Sequence, residues 1–198
     1  MKKIKKIIVG TNNIGKSKEI SWLLPKKVKK YFPRKLNIRS PKETGKSFEK
    51  NSYIKALYFS KKTDLVCIAD DSGLEVKLLK GKPGIFSSRW GGKNKNFNLA
   101  IKKVYKEMKK KNKNWQIFNS AKFICCITLL WPKGKSYTVR GTISGKISPI
   151  KKGKKGFGYD PIFVPNGYSK TFGEMHPKLK MSIDHRFKAY SKIKKFFY

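Results

Sequence analysis

Apolar residues along the chain follow two spacings, and together these predict alternating strands and helices. Strand-like runs, short or alternating, occupy residues 4–9, 36–39, 65–68, 74–79, 121–131 and 136–148. The last two runs flank Pro132-Lys133-Gly134, which predicts a hairpin. Helical spacing recurs in residues 18–24, 48–62, 96–110 and 177–196. Elements that alternate in this way indicate an α/β protein.

The apolar run at residues 65–68 is followed within two residues by adjacent carboxylates, Asp70 and Asp71, and then by Ser72-Gly73, which predicts a turn. Two adjacent ionised acids repel each other, so a fold that holds both usually supplies a cation nearby. One interpretation is a Mg²⁺ site for a phosphate substrate. The other is a pair of solvated loop acids.

The first predicted strand continues into GTNNIGKS at residues 10–17, ahead of the first predicted helix. This segment satisfies the phosphate-binding P-loop pattern G-x-x-x-x-G-K-S in its expected strand, loop and helix context. Backbone amides at a helix start attract anionic oxygens, as does Lys16, so the segment indicates a phosphate site. A P-loop NTPase or nucleotide kinase is therefore one functional candidate, and a turn without a ligand is the alternative interpretation.

Other polar positions allow two interpretations each. Asn51 and Lys55 lie four residues apart on a helix whose predicted N-cap is Ser47, and by themselves they indicate a solvated face. The glycines in GFGYDP at residues 156–161 permit close approach to a flat ligand such as a nucleobase, or form an ordinary aromatic turn. Off the apolar stripe of the last helix, facing either a cleft or water, are Lys180, His185 and Arg186.

The formal net charge of +38 invites a nucleic-acid interpretation, because basic surfaces attract phosphate backbones. Nucleic-acid recognition favours arginine, however. Here arginine occurs only at Arg34, Arg39, Arg89, Arg140 and Arg186. Lysine supplies the rest of the positive charge and is spread along the whole chain. A basic nucleic-acid-binding protein remains an alternative, but we expect no sequence-specific nucleic-acid partner.

Cysteine usage and apolar run length point to a cytoplasmic protein. Cys67, Cys125 and Cys126 lie within apolar runs, which is typical of reduced core thiols. The longest apolar stretch, residues 123–131, is too short to span a bilayer, and no apolar segment of a signal peptide follows the lysine-rich start. We therefore expect no membrane partner.

Several motifs, taken together, resemble the inosine triphosphate pyrophosphatase family, also called the XTP/dITP diphosphatase family. They follow the family's order over nearly the whole chain: Thr11-x-Asn13-x-x-Lys16, Glu43-Thr44-Gly45, Phe48-Glu49-x-Asn51-x-x-x-Lys55-Ala56, Ala69-Asp70-Asp71-Ser72-Gly73-Leu74, Pro83-Gly84, Phe157-Gly158-Tyr159-Asp160-Pro161-Ile162-Phe163, Lys170-Thr171-Phe172 and His185-Arg186. Each motif alone is weak, but the shared order makes chance agreement implausible. Two residues depart from the family pattern: Asn12 stands where Gly or Ser is common, and Asp184 where Ser is usual.

The resemblance implies an ITPase-like α/β fold, with a long central mixed β-sheet flanked by helices and two lobes around a cleft, in one domain over residues 1–198. It implies that Asp71 is the catalytic residue. It implies that Glu43 and Asp71 hold Mg²⁺, with Asp70 as a further candidate ligand. The implied substrate-binding residues are Thr11, Asn12, Asn13, Ile14, Gly15, Lys16, Lys55, Ser72, Phe157, Gly158, Tyr159, Asp160, Lys180, His185 and Arg186.

The resemblance also implies the reaction, in which a water molecule deprotonated by Asp71 attacks the α-phosphorus of ITP, dITP or XTP and pyrophosphate leaves. In that reaction Lys16 and Lys55 hold the triphosphate and Phe157 stacks on the base. The base edge is contacted by Asp160, Lys180, His185 and Arg186. Purine nucleoside triphosphates are thus the implied partners, and a homodimer is the implied assembly.

Overall fold

The computed structural model describes residues 3–198, and within them the strands form a six-stranded mixed β-sheet flanked by helices. The strands are β1 (Lys6–Val9), β2 (Lys29–Tyr31), β3 (Cys67–Val76), β4 (Ser120–Leu130), β5 (Ser136–Ile147) and β6 (Phe163–Pro165). Their order is β2-β1-β3-β4-β5-β6. β1 pairs in parallel with β2 and β3, whereas β5 and β6 are antiparallel. The predicted α/β class with a mixed sheet is confirmed.

Local sequence signals explain where most of the helices begin and end. The helices are α1 (Ile14–Leu23), α2 (Phe48–Thr63), α3 (Phe97–Lys111), α4 (Pro177–Ile183) and α5 (His185–Ser191). The N-cap side chains of α1 and α2, Asn13 and Ser47, accept hydrogen bonds from the amides of Lys16 and Lys50. α1 ends at Leu23, two residues before Pro25, which cannot continue a helix.

The chain divides into two compact units, each with its own core. Unit 1 takes in the described residues up to Asp71, together with Cys125–Gly141 and Arg186–Tyr198, and its core includes Ile7, Ile20 and Phe197. Unit 2 takes in Ser72–Ile124 and Thr142–His185, and α3 and the strands bury its core. The single domain with two lobes around a cleft stays a prediction.

β3 does not stop at the acid pair, so the predicted turn at Ser72-Gly73 is wrong. The strand continues to Val76, and the predicted separate strand at residues 74–79 is its last part followed by the 3₁₀ turn Lys77–Leu79. Asp70 and Asp71 are buried and paired with cations. Because cations neutralise these carboxylates inside the protein, the acids can lie within a strand, and the polar residues of the sequence did not mark its end.

Two further boundaries differ from the predictions. The strand predicted at residues 36–39 is wrong, because Pro33–Leu36 form a 3₁₀ turn that Asn37 ends with a positive φ of 53°. The strand of this region is β2, earlier in the chain. The single last helix is also wrong: the extended backbone of Asp184, with ψ of 173°, separates α4 from α5.

Candidate active site

The segment at residues 10–17, which we call the cradle, forms the loop before α1 and the first turn of that helix. The Asn13 side chain caps the helix by accepting from the amide of Lys16 at 3.0 Å, and the Asn13 amide donates to Thr11 Oγ1 at 3.1 Å. Asn12 donates through Nδ2 to the carbonyl of Ile38 at 3.0 Å. No acidic residue occupies the first turn of α1. The amide dipoles of the first turn are therefore not neutralised by an acid of the helix itself, and a helix start of this kind favours an anion.

Beside this cradle lies a group of side chains that we call the acid–lysine cluster: Glu43, Asp70, Asp71, Lys16 and Lys55. Lys55 Nζ lies 2.7 Å from Glu43 Oε1 and 3.2 Å from Asp71 Oδ1. Lys16 Nζ lies 3.4 Å from Asp70 Oδ2 and 4.0 Å from Asp71 Oδ1. The cluster belongs entirely to unit 1. It brings together residues from the cradle, the Glu43 loop, α2 and β3.

The two neighbouring acids of β3 share Lys16 but differ in their second cation, which is Arg186 for Asp70 and Lys55 for Asp71, and they differ in pKa. Burial alone would raise the pKa of Asp70, but the charges of Lys16 and Arg186 outweigh it and hold that pKa well below its ordinary value of 3.8. For Asp71, burial prevails over the attraction of Lys55 and Lys16, so its pKa is raised above 3.8. Asp71 is therefore the better proton acceptor of the two.

Lys55 bridges the carboxylates of Glu43 and Asp71, and the charged forms of both Lys55 and Glu43 are favoured. Burial works against ionisation of Glu43, but the adjacent Lys55 outweighs it and the pKa of Glu43 is lowered. Burial likewise disfavours the Lys55 ammonium, but Asp71 and Glu43 outweigh it and the pKa of Lys55 is raised. At neutral pH Glu43 and Lys55 therefore form a salt bridge between ionised groups.

Asn51 and Lys55 do not form the solvated face that their spacing indicated, so that interpretation is wrong. Asn51 is fully buried and donates through Nδ2 to Asp71 Oδ2 at 3.2 Å, while its Oδ1 accepts from the amide of Gly45 at 2.8 Å. Asn51 thus ties the Glu43 loop to Asp71, a contribution that the sequence prediction missed. The four-residue spacing to Lys55 was the available signal, because it places both residues on one helix face.

Arg186 lies in unit 1, where its guanidinium contacts acids of β3 and α1. Its Nη2 donates to Asp70 Oδ2 at 2.9 Å, and its Nη1 pairs with Glu19. Glu19, on α1, is a second buried residue that the sequence prediction missed, and a lone acid three residues after Lys16 was the only signal. The role of Arg186 at the base edge stays a prediction, and its observed partners are carboxylates.

In unit 2, a second cluster consists of Phe157, Asp160 and Lys180. We call it the base subsite after the role that the family resemblance implies, and that role stays a prediction. Lys180 Nζ lies 2.7 Å from Asp160 Oδ2, and both side chains are buried. The Phe157 amide donates to the same oxygen at 2.8 Å, and the Lys180 ammonium lies 5.2 Å from the centre of the Phe157 ring. Gly156 is required here, because a Cβ at this position would meet Asp160 Oδ2 at 2.1 Å.

The remaining predicted site residues are placed as follows. The His185 ring is 5% exposed and stacks on Phe123 with ring centres 4.8 Å apart. The Tyr159 ring is also buried and packs edge-on against Phe97. Ser72 lies half-buried on β3, directly after Asp71. Gly158 has a positive φ of 69°, and Ile14 and Gly15 open α1.

The donor set of the cluster suits a hard cation. Glu43 and Asp71 already share one cation, the Lys55 ammonium, and the buried Oδ1 of Asp70 has no hydrogen-bond partner. Among residues 3–198, no group of three or more His, Cys, Asp or Glu side chains is arranged to hold a metal ion. Two carboxylates completed by substrate oxygens match the way Mg²⁺ usually binds, with few protein ligands. The residues present therefore fit this ion.

Sequence comparisons connect these residues to known proteins. The sequence model of the Ham1 family matches residues 7–196. A dITP/XTP pyrophosphatase of Caulobacter vibrioides is 39% identical over 189 residues, covering 96% of this chain and 96% of that protein. A dITP/XTP pyrophosphatase of Bartonella quintana is 39% identical, covering 89% of this chain and 84% of that protein.

Solved structures share the fold. A HAM1 protein from Coxiella burnetii superposes with a TM-score of 0.86 at 33% identity, covering 97% of this chain and 98% of its own. The Staphylococcus aureus Ham1 protein gives a TM-score of 0.81 at 33% identity, with 97% of each chain covered. No helix among residues 3–198 combines the length and apolar character that crossing a bilayer requires. On the family match and these likenesses, the chain belongs to the Ham1 family.

Proposed function

We propose that this chain is a dITP/XTP pyrophosphatase that hydrolyses ITP, dITP and XTP to the nucleoside monophosphate and pyrophosphate, and so removes deaminated purines from the nucleotide pool. The relatives from Caulobacter vibrioides and Bartonella quintana bear that name. The observation that carries the proposal is the approach of Lys16 and Lys55, two ammonium groups, to one carboxylate of raised pKa, Asp71. Ammonium groups bind phosphates, and such a carboxylate accepts a proton from water.

In the proposed reaction, Asp71 orients a water molecule and takes its proton as the oxygen attacks the α-phosphorus. The bond between that phosphorus and the oxygen bridging to the β-phosphorus breaks, and pyrophosphate leaves with the electron pair. Lys16, Lys55 and the amides of the α1 start hold the phosphate oxygens. Glu43 and Asp71 would hold Mg²⁺, which when bound neutralises charge on the phosphates.

Selectivity for the base is proposed to lie in the base subsite. Hypoxanthine and xanthine carry an oxygen acceptor at position 6, where adenine carries an amino donor. The Lys180 ammonium is a donor only, so it matches the 6-oxo group and leaves adenine mispaired. The Phe157 ring is proposed to stack on the purine, because an aromatic face suits a flat base.

The experiment that tests this function incubates the protein and Mg²⁺ with ITP, dITP, XTP, GTP or ATP and identifies the released anion. We expect pyrophosphate and the monophosphate, with ITP, dITP and XTP turned over faster than GTP or ATP. A P-loop enzyme using residues 10–17 would release orthophosphate and prefer ATP. A basic nucleic-acid-binding protein would release neither anion. Either result would overturn the proposal.

The proposal extends to assembly and location. We propose a homodimer, as the family resemblance implies, and sedimentation at micromolar concentration should then give twice the 22.9 kDa of the chain. We propose the cytoplasm as the place of action, because the nucleotide pool is there. Imaging of the fluorescently tagged protein in its own cell tests this location, and signal confined to the envelope would contradict it.

A further inference from the structure

Ser87 joins three segments of unit 2 through buried hydrogen bonds. Its Oγ accepts from the backbone amide of Leu74 on β3 at 2.9 Å and donates to the carbonyl of Gly84 at 2.6 Å. Its own carbonyl accepts from the phenolic hydroxyl of Tyr159 at 2.8 Å. Ser87 is 5% exposed, so water cannot readily replace a lost partner.

Tyr159 connects this serine to the base subsite. The tyrosine follows Gly158 and precedes Asp160 in the loop that also carries Phe157. Its side chain is 2% exposed, and its ring packs against Phe97 with ring centres 5.4 Å apart. With the ring held on one side and the hydroxyl on the other, the backbone on both sides of Tyr159 has little freedom.

The opposite end of this connection is Leu74, in the part of β3 that belongs to unit 2. Leu74 follows Asp71 by three residues on β3, within the same regular strand. A shift of the Leu74 to Ser87 to Tyr159 connection would therefore move Phe157 and Asp160 relative to β3. Misplacement of about 1 Å in a positioning group can reduce activity about a hundredfold.

We propose that Ser87 is a positioning residue: through Leu74 and Tyr159 it holds the base subsite at a set place relative to β3, and so determines affinity and selectivity for the purine. This inference rests on the proposed function for the identity of the base. It assigns to an uncharged loop serine a part in recognition and not in proton transfer.

The test compares four variants. Ser87→Ala removes the Oγ that Leu74 and Gly84 share, Tyr159→Phe removes the hydroxyl that reaches Ser87, and Ser87→Thr restores an Oγ at position 87. Ser88→Ala is the matched control, because the neighbouring serine is half-buried and its side chain makes no capping hydrogen bond. The measurements are the Kd for IMP by calorimetry, kcat and KM for ITP and ATP, and the Tm.

We expect Ser87→Ala and Tyr159→Phe to weaken IMP binding and raise the KM for ITP about five- to tenfold, as loss of a buried hydrogen bond predicts. The kcat for ITP should stay within about threefold, and the preference for ITP over ATP should narrow, because the 6-oxo group that Lys180 is proposed to contact distinguishes hypoxanthine from adenine. Ser87→Thr should recover wild-type affinity, and Ser88→Ala should match the wild type.

A Ser87→Ala protein with a lowered Tm but with the Kd, KM and selectivity of Ser88→Ala would show a structural role only and overturn this proposal. If the wild type binds IMP but releases no pyrophosphate from ITP, the proposed function fails while the Kd comparison still decides the role of Ser87. If the wild type binds no inosine nucleotide, both proposals fail.

Discussion

The acid–lysine cluster of unit 1 and the base subsite of unit 2 both contain buried charged side chains, but they balance charge differently. In the cluster, each lysine approaches two carboxylates and no acid has a cation to itself. In the base subsite, the carboxylate of Asp160 lies 2.7 Å from the ammonium of Lys180, beside the Phe157 ring. One arrangement is a shared network and the other is a close pair.

The difference indicates that the acid–lysine cluster suits proton transfer and cation binding, whereas the base subsite suits recognition. A shared network can accept a proton or an added cation while each remaining charge keeps an oppositely charged neighbour. In this network the pKa of Asp70 is lowered and the pKa of Asp71 is raised. A close pair holds its donors and acceptors in fixed directions, which suits recognition. We therefore expect changes in unit 1 to alter kcat or stability, and changes in unit 2 to alter KM.

The largest effect should come from Asp71→Asn. This variant removes the proton acceptor but keeps the shape of the side chain, so kcat for ITP should fall about a thousandfold while IMP still binds. Pyrophosphate release and calorimetry measure the two quantities. Glu75→Gln, farther along β3 and paired at the surface with Lys122, should match the wild type. A kcat within about threefold of the wild type would remove Asp71 from the mechanism.

Asp70→Asn should have the largest effect on stability. The change leaves the buried Arg186 and the adjacent Lys16 without a charge that both contact, so the free energy of unfolding should fall by about 3 kcal/mol in urea titration. Asp64→Asn is the control, because Asp64 is exposed and asparagine tolerates its positive φ of 51°. Equal stabilities of the two variants would mean that the network does not depend on Asp70.

In unit 2, Lys180→Gln should raise the KM for ITP about tenfold, because a cationic donor to the 6-oxo group is lost, with a smaller change in kcat. Lys178→Gln, exposed on the same helix, is the control. If kcat fell as far as in Asp71→Asn, the division between the two regions would be wrong.

The smallest effect should be a pH dependence of stability. The pKa of Asp70 is lowered in the folded protein, so its stabilisation is present above its ordinary value of 3.8 and is lost as the pH falls below it. The raised pKa of Asp71 acts with the opposite sign. From about pH 5 to pH 3, the free energy of unfolding should therefore fall by about 1 kcal/mol more in the wild type than in Asp70→Asn. Parallel curves would contradict the assigned direction.

Predictions from the sequence succeeded where local chemistry decides. Ser47 is followed at once by α2, as its predicted N-cap role requires, and the long apolar runs around Pro132 became β4 and β5. The predicted start of the first helix, at residue 18, was four residues late, because α1 begins at Ile14. The predictions also failed at the end of β3 and at Asp184, where burial of charged side chains overrides the local polar pattern. A pattern of polar residues cannot distinguish a solvated acid from one that is neutralised by a cation far away in the sequence.

The same limit applies to the site. The sequence by itself determined the N-cap of α2, the end of α1 before Pro25 and the long strands β4 and β5, because caps, turns and spacing act over a few residues. It also predicted a phosphate site at residues 10–17 and a cation site at Asp70 and Asp71. Only the tertiary structure decided that Arg186 pairs with Glu19 and Asp70, that Asn51 supports Asp71, and that two adjacent acids differ in pKa. Those properties depend on distances of a few ångströms between residues far apart in the chain, and on the water that folding excludes between them.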